Sequence, residues 1–244
     1  MQIPGLLQKA KTGFFSGLYT YFFPELCIIC DSVRHPDEKW FCAACVSKLK
    51  ENSCSRDACG WCGLNQSIRS CTCSVAWDFP FTSIISIFDY NEHTQSLIRN
   101  IKYNGKRALA ADLAGYHPGL SSLNSNVDII IPVPLHWTRL RKRGYNQAEW
   151  FAKGISSITK IPIAGDVVYR VRSTGTQTKL DKSERNTNIR DAFALRKTAE
   201  SRVAGKRVLL VDDVITTGAT ITECANSIIA AGCESVTVMS IARD

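Results

Sequence analysis

The chain has 244 residues, of which 45% are hydrophobic and 21% charged. That composition is typical of a globular protein of one or two domains, and it excludes an intrinsically disordered or low-complexity chain. The formal net charge of +8 favours anionic partners such as phosphates, nucleic acids or a membrane surface, without choosing among them.

Residues 1–26 form an apolar lead that we expect to fold as a short helix packed on the body of the protein. Its run GFFSGLYTYFF follows two lysines, contains a glycine and is too short to span a bilayer. It also lacks the small-residue cleavage site of an export signal. The alternative to a helix packed on the protein is a segment that contacts a membrane interface. A chain without an export signal is expected in the cytoplasm, where clustered cysteines bind metal more often than they form disulfides.

Nine of the eleven cysteines lie between residues 27 and 73. Two CxxC pairs with eleven residues between them predict a tetrahedral four-thiolate zinc site, formed by Cys27, Cys30, Cys42 and Cys45. A second set with a less usual CxC spacing is formed by Cys59, Cys62, Cys71 and Cys73. Cys54 is left over and either replaces one of these ligands or stays free. The ligands of the two sets could also interleave. An iron–sulfur cluster is the alternative to zinc. Residues 27–78 are therefore predicted to be a double zinc-binding module of structural role, because closed sites leave no open position for catalysis.

From about residue 79 onward the pattern is that of an α/β domain. Short apolar runs predict strands at 84–88, 128–133, 167–171, 207–211 and 236–241. Apolar residues at helical spacing predict helices at 93–103, 146–158 and 219–231. Buried strands alternating with helices favour a parallel sheet flanked by helices. Residues 79–244 are therefore predicted to be one α/β domain.

The sharpest motif is RVLLVDDVITTGAT, at residues 207–220. Asp212 and Asp213 follow a buried strand, at the edge where open α/β sheets bind ligands. The small residues after them lead into a helix whose N-terminal N–H groups suit a phosphate. This predicted phosphate turn consists of Thr216, Thr217, Gly218, Ala219 and Thr220. Carboxylates repel a phosphate but accept hydrogen bonds from sugar hydroxyls or hold Mg²⁺ through water, so a phosphorylated sugar fits both halves.

Two further cationic segments accompany this motif. Residues 139–143 place Arg139, Arg141, Lys142 and Arg143 where another strand ends, which suits a pyrophosphate. The interleaved aromatic residues Trp137, Tyr145 and Trp150 would equally suit stacking on single-stranded DNA, unless they pack in the core. The polar stretch 176–193 carries Lys179, Lys182, Arg185 and Arg190 and could close over a leaving group as a cationic loop.

The motif at 207–220 resembles the signature of type I phosphoribosyltransferases, which bind phosphoribosyl pyrophosphate (PRPP) together with Mg²⁺. Combined with VPLHWTRLRKRGYNQ and with Gln177, Leu180, Arg185, Asn188 and Phe193, it resembles the ComF competence family (ComFC/GntX-like proteins) over nearly the whole chain. The resemblance implies a type I phosphoribosyltransferase-like fold in which Asp212 and Asp213 hold the ribose hydroxyls and residues 216–220 hold the 5-phosphate. It also implies that Pro134, Leu135 and His136 border the pyrophosphate pocket and that residues 177–190 form a hood.

Two functions follow as hypotheses. The first is a phosphoribosyltransferase with an unknown base or amine acceptor, or a PRPP sensor without turnover. The second, implied by the family, is a cytoplasmic protein that handles imported single-stranded DNA in natural transformation together with a helicase-like partner. The two are compatible, because PRPP and a DNA end are both phosphorylated sugars.

Overall fold

A computed structural model describes residues 24–53, 58–67, 70–71, 73, 79–172 and 191–244. The chain divides into two compact units between Glu51 and Asn52. The predicted domain boundaries after residues 26 and 78 stay predictions. The lead helix predicted over residues 1–26 falls almost wholly outside the described residues.

A parallel sheet forms the centre of the second unit, as the sequence predicts, and it has four strands. The strands of this unit are β1 (Ser83–Asp89), β2 (Ile129–Pro132), β3 (Val168–Arg170), β4 (Phe193–Leu195), β5 (Arg207–Ile215) and β6 (Ser235–Arg243). The main sheet has the order β1-β6-β5-β2, and all of its pairs are parallel. Strand β5 is thus central, which places the sequence motif at the middle of the sheet.

The strand predicted at 167–171 does not belong to this sheet, which corrects the expectation of a single parallel sheet. Strand β3 pairs antiparallel with β4 in a separate two-stranded ribbon. A three-residue strand carries too little periodicity to reveal its partner, and this partner follows the polar stretch 173–190 in sequence. The ribbon therefore brackets that stretch at both ends.

Seven α-helices are described, and they confirm the three that the sequence predicts. They are α1 (Ala43–Glu51), α2 (Glu92–Tyr103), α3 (Arg107–Leu113), α4 (Trp137–Arg143), α5 (Gln147–Thr159), α6 (Ala199–Val203) and α7 (Ala219–Ala230). Helix α2 begins with a capping box, in which the Asn91 side chain accepts the Thr94 N–H and the Thr94 hydroxyl accepts the Asn91 N–H. Helices α3 and α5 pack so closely that a β-carbon on Gly154 would lie 2.0 Å from the Ala111 carbonyl oxygen.

The two faces of the sheet are covered by different helices. Alternate residues of β5, such as Val208 and Leu210, pack with buried Ile221 and Cys224 of α7 in one core cluster. Helix α5 contacts β2 and β5 and buries Phe151. None of the helices in the described ranges has both the length and the hydrophobicity that a bilayer crossing demands.

Candidate phosphoribosyl-binding site and cysteine centres

The two acids of the motif lie within β5 rather than after it. The strand was predicted to end at residue 211, but its pairing with β6 continues through Asp212↔Ser240 to Ile215↔Arg243. Strand alternation therefore sends Asp212 and Asp213 to opposite faces of the sheet. The Oδ1 atom of Asp212 accepts the backbone N–H of Asp213 at 2.8 Å, which links the two residues locally.

Asp213 is buried, and its charge is balanced by a lysine. The Lys102 Nζ atom, at the end of α2, lies 2.8 Å from Oδ2 of Asp213. Burial lowers the pKa of Lys102, but the charge of Asp213 more than offsets that effect, so the pKa is raised and the lysine stays protonated. Asp213 and Lys102 thus form a desolvated ion pair beside the sheet edge.

Asp212 is half-buried and lies next to the negative charge of Asp213. Burial, with the nearby charge of Asp213, raises the pKa of Asp212 to about 8. A carboxyl group of this kind takes up and releases a proton near neutral pH. A strongly shifted pKa beside a ligand-binding edge is a common property of functional sites.

The turn after β5 has the geometry of an anion site. Gly218 adopts φ +80° and precedes α7, and the Thr217 hydroxyl accepts the Ala219 N–H in a long hydrogen bond of 3.5 Å. The Arg243 guanidinium donates to the carbonyl oxygens of Ile215, at 3.2 Å, and Thr216. Because a cation holds the carbonyls, the turn is fixed from its carbonyl side, while the N–H groups at the start of α7 are oriented for an anion. Thr216 and Thr217 are exposed, and Ala219 and Thr220 are half-buried.

The basic segment near β2 is a short helix, which corrects its interpretation as a strand end running into a turn. The buried imidazole of His136 caps α4, with its Nδ1 atom 2.8 Å from the Thr138 hydroxyl. Gly144, with φ +81°, ends the helix. Arg139 and Arg143 lie one turn apart on α4, and both are half-buried. Pro134 and Leu135 are half-buried between β2 and α4.

Both predicted cysteine sets converge. The ligand atoms of each set lie within 4.8 Å of one another, in groups formed by Cys27, Cys30, Cys42 and Cys45 and by Cys59, Cys62, Cys71 and Cys73. The Sγ atoms of Cys30 and Cys42 are 3.6 Å apart, as expected for thiolates that share a tetrahedral ion. Each set could therefore bind zinc, and its four sulfur ligands suit that ion. Cys54 lies outside the described residues.

The two cysteine sets belong to different units of the chain. The first lies before Glu51, and the second lies in the unit that contains the sheet. Between Cys59 and Cys62 of that second set, the Trp61 carbonyl oxygen accepts the Ile84 N–H of β1 at 2.7 Å. A β-carbon on Gly63 would lie 2.6 Å from the Ile84 carbonyl oxygen. The second cysteine set is therefore attached directly to an edge strand of the sheet.

Comparison with known proteins assigns the chain to a family. The sequence profile described as "Phosphoribosyl transferase domain" matches residues 126–244. Competence protein F of Haemophilus influenzae is 32% identical over 230 residues, which cover 91% of this chain and 98% of that protein. The chain belongs to the ComF family.

Further ComF relatives match over similar lengths. DNA utilization protein YhgH of Salmonella typhimurium is 28% identical, with 90% of this chain and 97% of that protein covered. Competence protein ComFC of Bacillus subtilis is 26% identical, with 85% and 90% covered. Among solved structures, a purine phosphoribosyltransferase from Pyrococcus horikoshii is 16% identical over 57% of this chain and 84% of that chain, with a TM-score of 0.33. The family assignment rests on the relatives and the domain profile.

Sequence reasoning missed Lys102 and Arg170 of this ComF protein, as it missed Arg243 beside the turn. Lys102 lies one helical turn after the buried residue Ile98, so helical periodicity places it beside the apolar face of α2. A lysine next to that face was the signal that could have found it. Arg170 is 9% exposed and stacks on the Phe193 ring at 5.2 Å. Burial and the charge of Arg139 lower the pKa of Arg170, and the charge of Asp212 opposes them, so Arg170 lies within electrostatic reach of both residues. The predicted cations Lys179 and Arg185 lie outside the described residues.

Proposed function

We propose that this ComF protein binds PRPP at the carboxyl end of β5. The observation that carries the proposal is the direct succession of the acid pair on β5, one acid buried and one half-buried, and an anion-accepting helix start. Asp212 and Asp213, which leave the strand on opposite faces, would accept hydrogen bonds from different ribose hydroxyls at its carboxyl end. The 5-phosphate would take the N–H groups and hydroxyls of residues 216–220, where α7 adds a favourable dipole.

The pyrophosphate of the ligand would lie against the cations that surround the acids. Arg139, Arg143 and Arg170 supply three guanidinium groups of fixed charge, which suit phosphate oxygens. Pro134, Leu135 and His136 would border this pocket, and Lys179 and Arg185 would add charge from the hood. Mg²⁺ bound with PRPP would neutralise part of the pyrophosphate charge.

Two outcomes are proposed for the bound ligand. As a sensor, the protein would hold PRPP without turnover. As a transferase, it would let the lone pair of a base or amine form a bond to C1 while the C1–O bond breaks and pyrophosphate leaves with the electron pair. The guanidinium cluster supports the second outcome, since it would stabilise the leaving group in the transition state.

We further propose a role in natural competence, in which the protein acts in the cytoplasm on imported single-stranded DNA with a helicase-like partner. The names of the relatives, competence protein F and DNA utilization protein YhgH, support this role. The net charge of +8 is compatible with a nucleic-acid ligand. Both cysteine sets would hold Zn²⁺ as structural sites.

Calorimetric titration of PRPP with Mg²⁺ tests the sugar site, at a pH above the pKa of Asp212 so that this carboxyl is ionised. We expect Asp212→Asn to weaken binding at least about tenfold, because the neutral amide loses a charge-assisted hydrogen bond. Asp166→Asn is the matched control, since Asp166 is exposed and pairs with Arg202 outside the site. Wild-type protein that gives no PRPP isotherm under these conditions would overturn the proposal. Pyrophosphate release across a panel of bases and amines then separates transferase from sensor.

A further inference from the structure

Tyr103, at the end of α2, is the most exposed large hydrophobic side chain of the described residues, with 73% of its surface accessible. The guanidinium carbon of Arg143 lies 5.8 Å from the centroid of its ring. An open aromatic ring beside a cation is the arrangement that stacks on the bases of a single strand and neutralises its phosphates. A single exposed ring does not make a binding site, but further cations and another aromatic ring lie near Tyr103.

Positive charge continues from Tyr103 across α3 and α5. Burial raises the pKa of the Tyr145 phenol, and the charges of Arg143 and Arg107 both oppose that shift, so both arginines lie near this hydroxyl. Arg107 also lies 5.0 Å from the centroid of the Trp150 ring. Lys153 approaches the same ring to 4.9 Å. We call the connected set the basic track, and it consists of Lys153, Trp150, Arg107, Arg143, Tyr103 and Arg139.

The inner end of the basic track reaches the acid pair. Arg139 interacts electrostatically with both Arg143 and Tyr103. Its charge also acts on Arg170, which in turn acts on Asp212. Lys102, which precedes Tyr103 on α2, lies 2.8 Å from Asp213, so the track adjoins the proposed sugar site.

Negative charge is nearly absent along the basic track. Residues 99–107 and 137–153 contain one carboxylate, Glu149, and its charge is balanced by Lys153 at 2.9 Å. A surface with so little negative charge complements a phosphate backbone. The net charge of these two segments equals the chain's positive surplus of +8.

The other two aromatic residues near the basic cluster lie off the track. The Tyr145 hydroxyl donates to the Ile101 carbonyl oxygen, so this residue joins two elements of the fold. Trp137 pairs with Arg141 at 6.0 Å, and helical spacing puts both on the flank of α4 that faces away from Arg139 and Arg143. The track is thus narrower than the sequence pattern suggested.

We propose that the basic track binds single-stranded DNA and leads the strand toward the acid pair. This inference rests on the DNA-handling part of the proposed function. A duplex hides the faces of its bases from Tyr103, whereas an unpaired strand exposes them. A membrane surface would favour aliphatic side chains beside the ring, but the neighbours of Tyr103 along the track are arginines.

Fluorescence anisotropy with a labelled oligo(dT) of about 20 nucleotides, long enough to cover a typical single-strand site, tests the track in the full, metal-loaded chain. We expect Tyr103→Ala to weaken binding at least about fivefold through the lost stacking. Arg107→Ala should reduce the slope of log K against log salt by about 0.7, the share of one phosphate contact on a single strand. Arg107→Ala should leave the PRPP isotherm unchanged.

Tyr169 and Arg196 provide the matched controls, because they form the same kind of pair at 5.5 Å outside the track. Tyr169→Ala and Arg196→Ala are expected to bind the oligonucleotide as wild type does. The proposal would be overturned if the control variants lost as much oligonucleotide affinity as Tyr103→Ala and Arg107→Ala. It would also be overturned if these two variants lost no affinity. Tighter binding to duplex DNA or to vesicles of anionic phospholipid would do the same. If the wild-type protein does not bind PRPP but the DNA-binding results are as expected, the proposed sugar site is refuted and the proposed DNA-binding track is not.

Discussion

Lys102 on α2 and Asp213 on β5 form an ion pair of 2.8 Å in which the lysine side chain is 24% exposed and the aspartate side chain 5%. The pair joins the last turn of one helix to the central strand of the sheet. It therefore fixes the position of one of the two acids proposed to bind ribose. A charge held in this way keeps its orientation before any ligand arrives.

Lys102→Met should destabilise the protein by about 3–5 kcal/mol, because it leaves the Asp213 carboxylate buried without its cation. Lys153→Met is the control, since Lys153 and Glu149 pair at 2.9 Å with both side chains about half exposed. That substitution should cost less than about 1 kcal/mol. Denaturant unfolding measures both values. Adding Asp213→Asn to Lys102→Met should recover part of the loss, and equal losses for the two lysines would contradict the prediction.

The raised pKa of Asp212 predicts a dependence of stability on pH. Its value is about 8 in the folded chain against an ordinary 3.8, so the folded chain keeps a proton that the unfolded chain releases between these values. The contribution of this group to stability is present below the ordinary pKa and is lost as the pH rises toward 8. Compared with wild type, Asp212→Asn should abolish this part of the pH dependence of the free energy of unfolding. Parallel profiles for the two proteins would contradict it.

The same carboxyl predicts proton-linked binding of PRPP. Only the ionised form accepts hydrogen bonds from ribose hydroxyls at both oxygens, so affinity should rise up to about tenfold per pH unit below the pKa of Asp212. Titrations between pH 7 and 9, in buffers of different ionisation enthalpy, should show the release of a proton on binding. The affinity of Asp212→Asn should stay flat over that range. A wild-type affinity that is also flat would mean that Asp212 does not contact the sugar in its ionised form.

The elements with clear apolar periodicity could be predicted from the sequence. Helix α7 places Ile221, Cys224 and Ile228 on one face, and the apolar residues of strand β6 are all buried, so local pattern and tertiary role agree. Helix α4 could not be found in this way, because its sequence is dominated by basic residues and it has no buried residue. The bounds of α4 are set by the His136 cap at its start and by Gly144 at its end.

The candidate site was predicted only where it is local in sequence. The acid pair and the turn at 216–220 are adjacent, so one motif reveals them. Lys102, Arg170 and Arg243 come from three distant elements, and only the folded sheet brings them to the motif. The end of β5 was predicted too early because two acids usually end a buried strand, whereas Val214 and Ile215 continue the pairing with β6.

The two cysteine sets should differ in what their metal supports. Cys42→Ser and Cys71→Ser change half-buried residues of the first and second sets, and each should remove about one zinc ion per chain. Cys71→Ser should also loosen β1, because the Trp61 carbonyl in that set accepts the Ile84 N–H. Hydrogen exchange across Ser83–Asp89 should accelerate in Cys71→Ser and not in Cys42→Ser.

Elemental analysis and absorption spectra provide the control for this comparison. Zinc gives no visible absorption, whereas an iron–sulfur cluster would colour the purified protein. Retention of both ions in either variant would show that the serine-substituted set does not bind metal through that cysteine. Equal protection of β1 in the two variants would show that the second set acts independently of the sheet.

Gly218 should be required for the phosphate turn beyond its effect on stability. Gly218→Ala places a side chain at φ +80°, which costs about 1–2 kcal/mol, and its β-carbon would lie 3.4 Å from the Phe79 ring. Gly232→Ala is the matched control, because Gly232 has φ +79° with no described atom within 4 Å of the added carbon. Both variants should lose similar stability in thermal unfolding. Only Gly218→Ala should lose PRPP affinity, since the N–H groups at the start of α7 move with the turn, and equal affinities in the two variants would place the phosphate elsewhere.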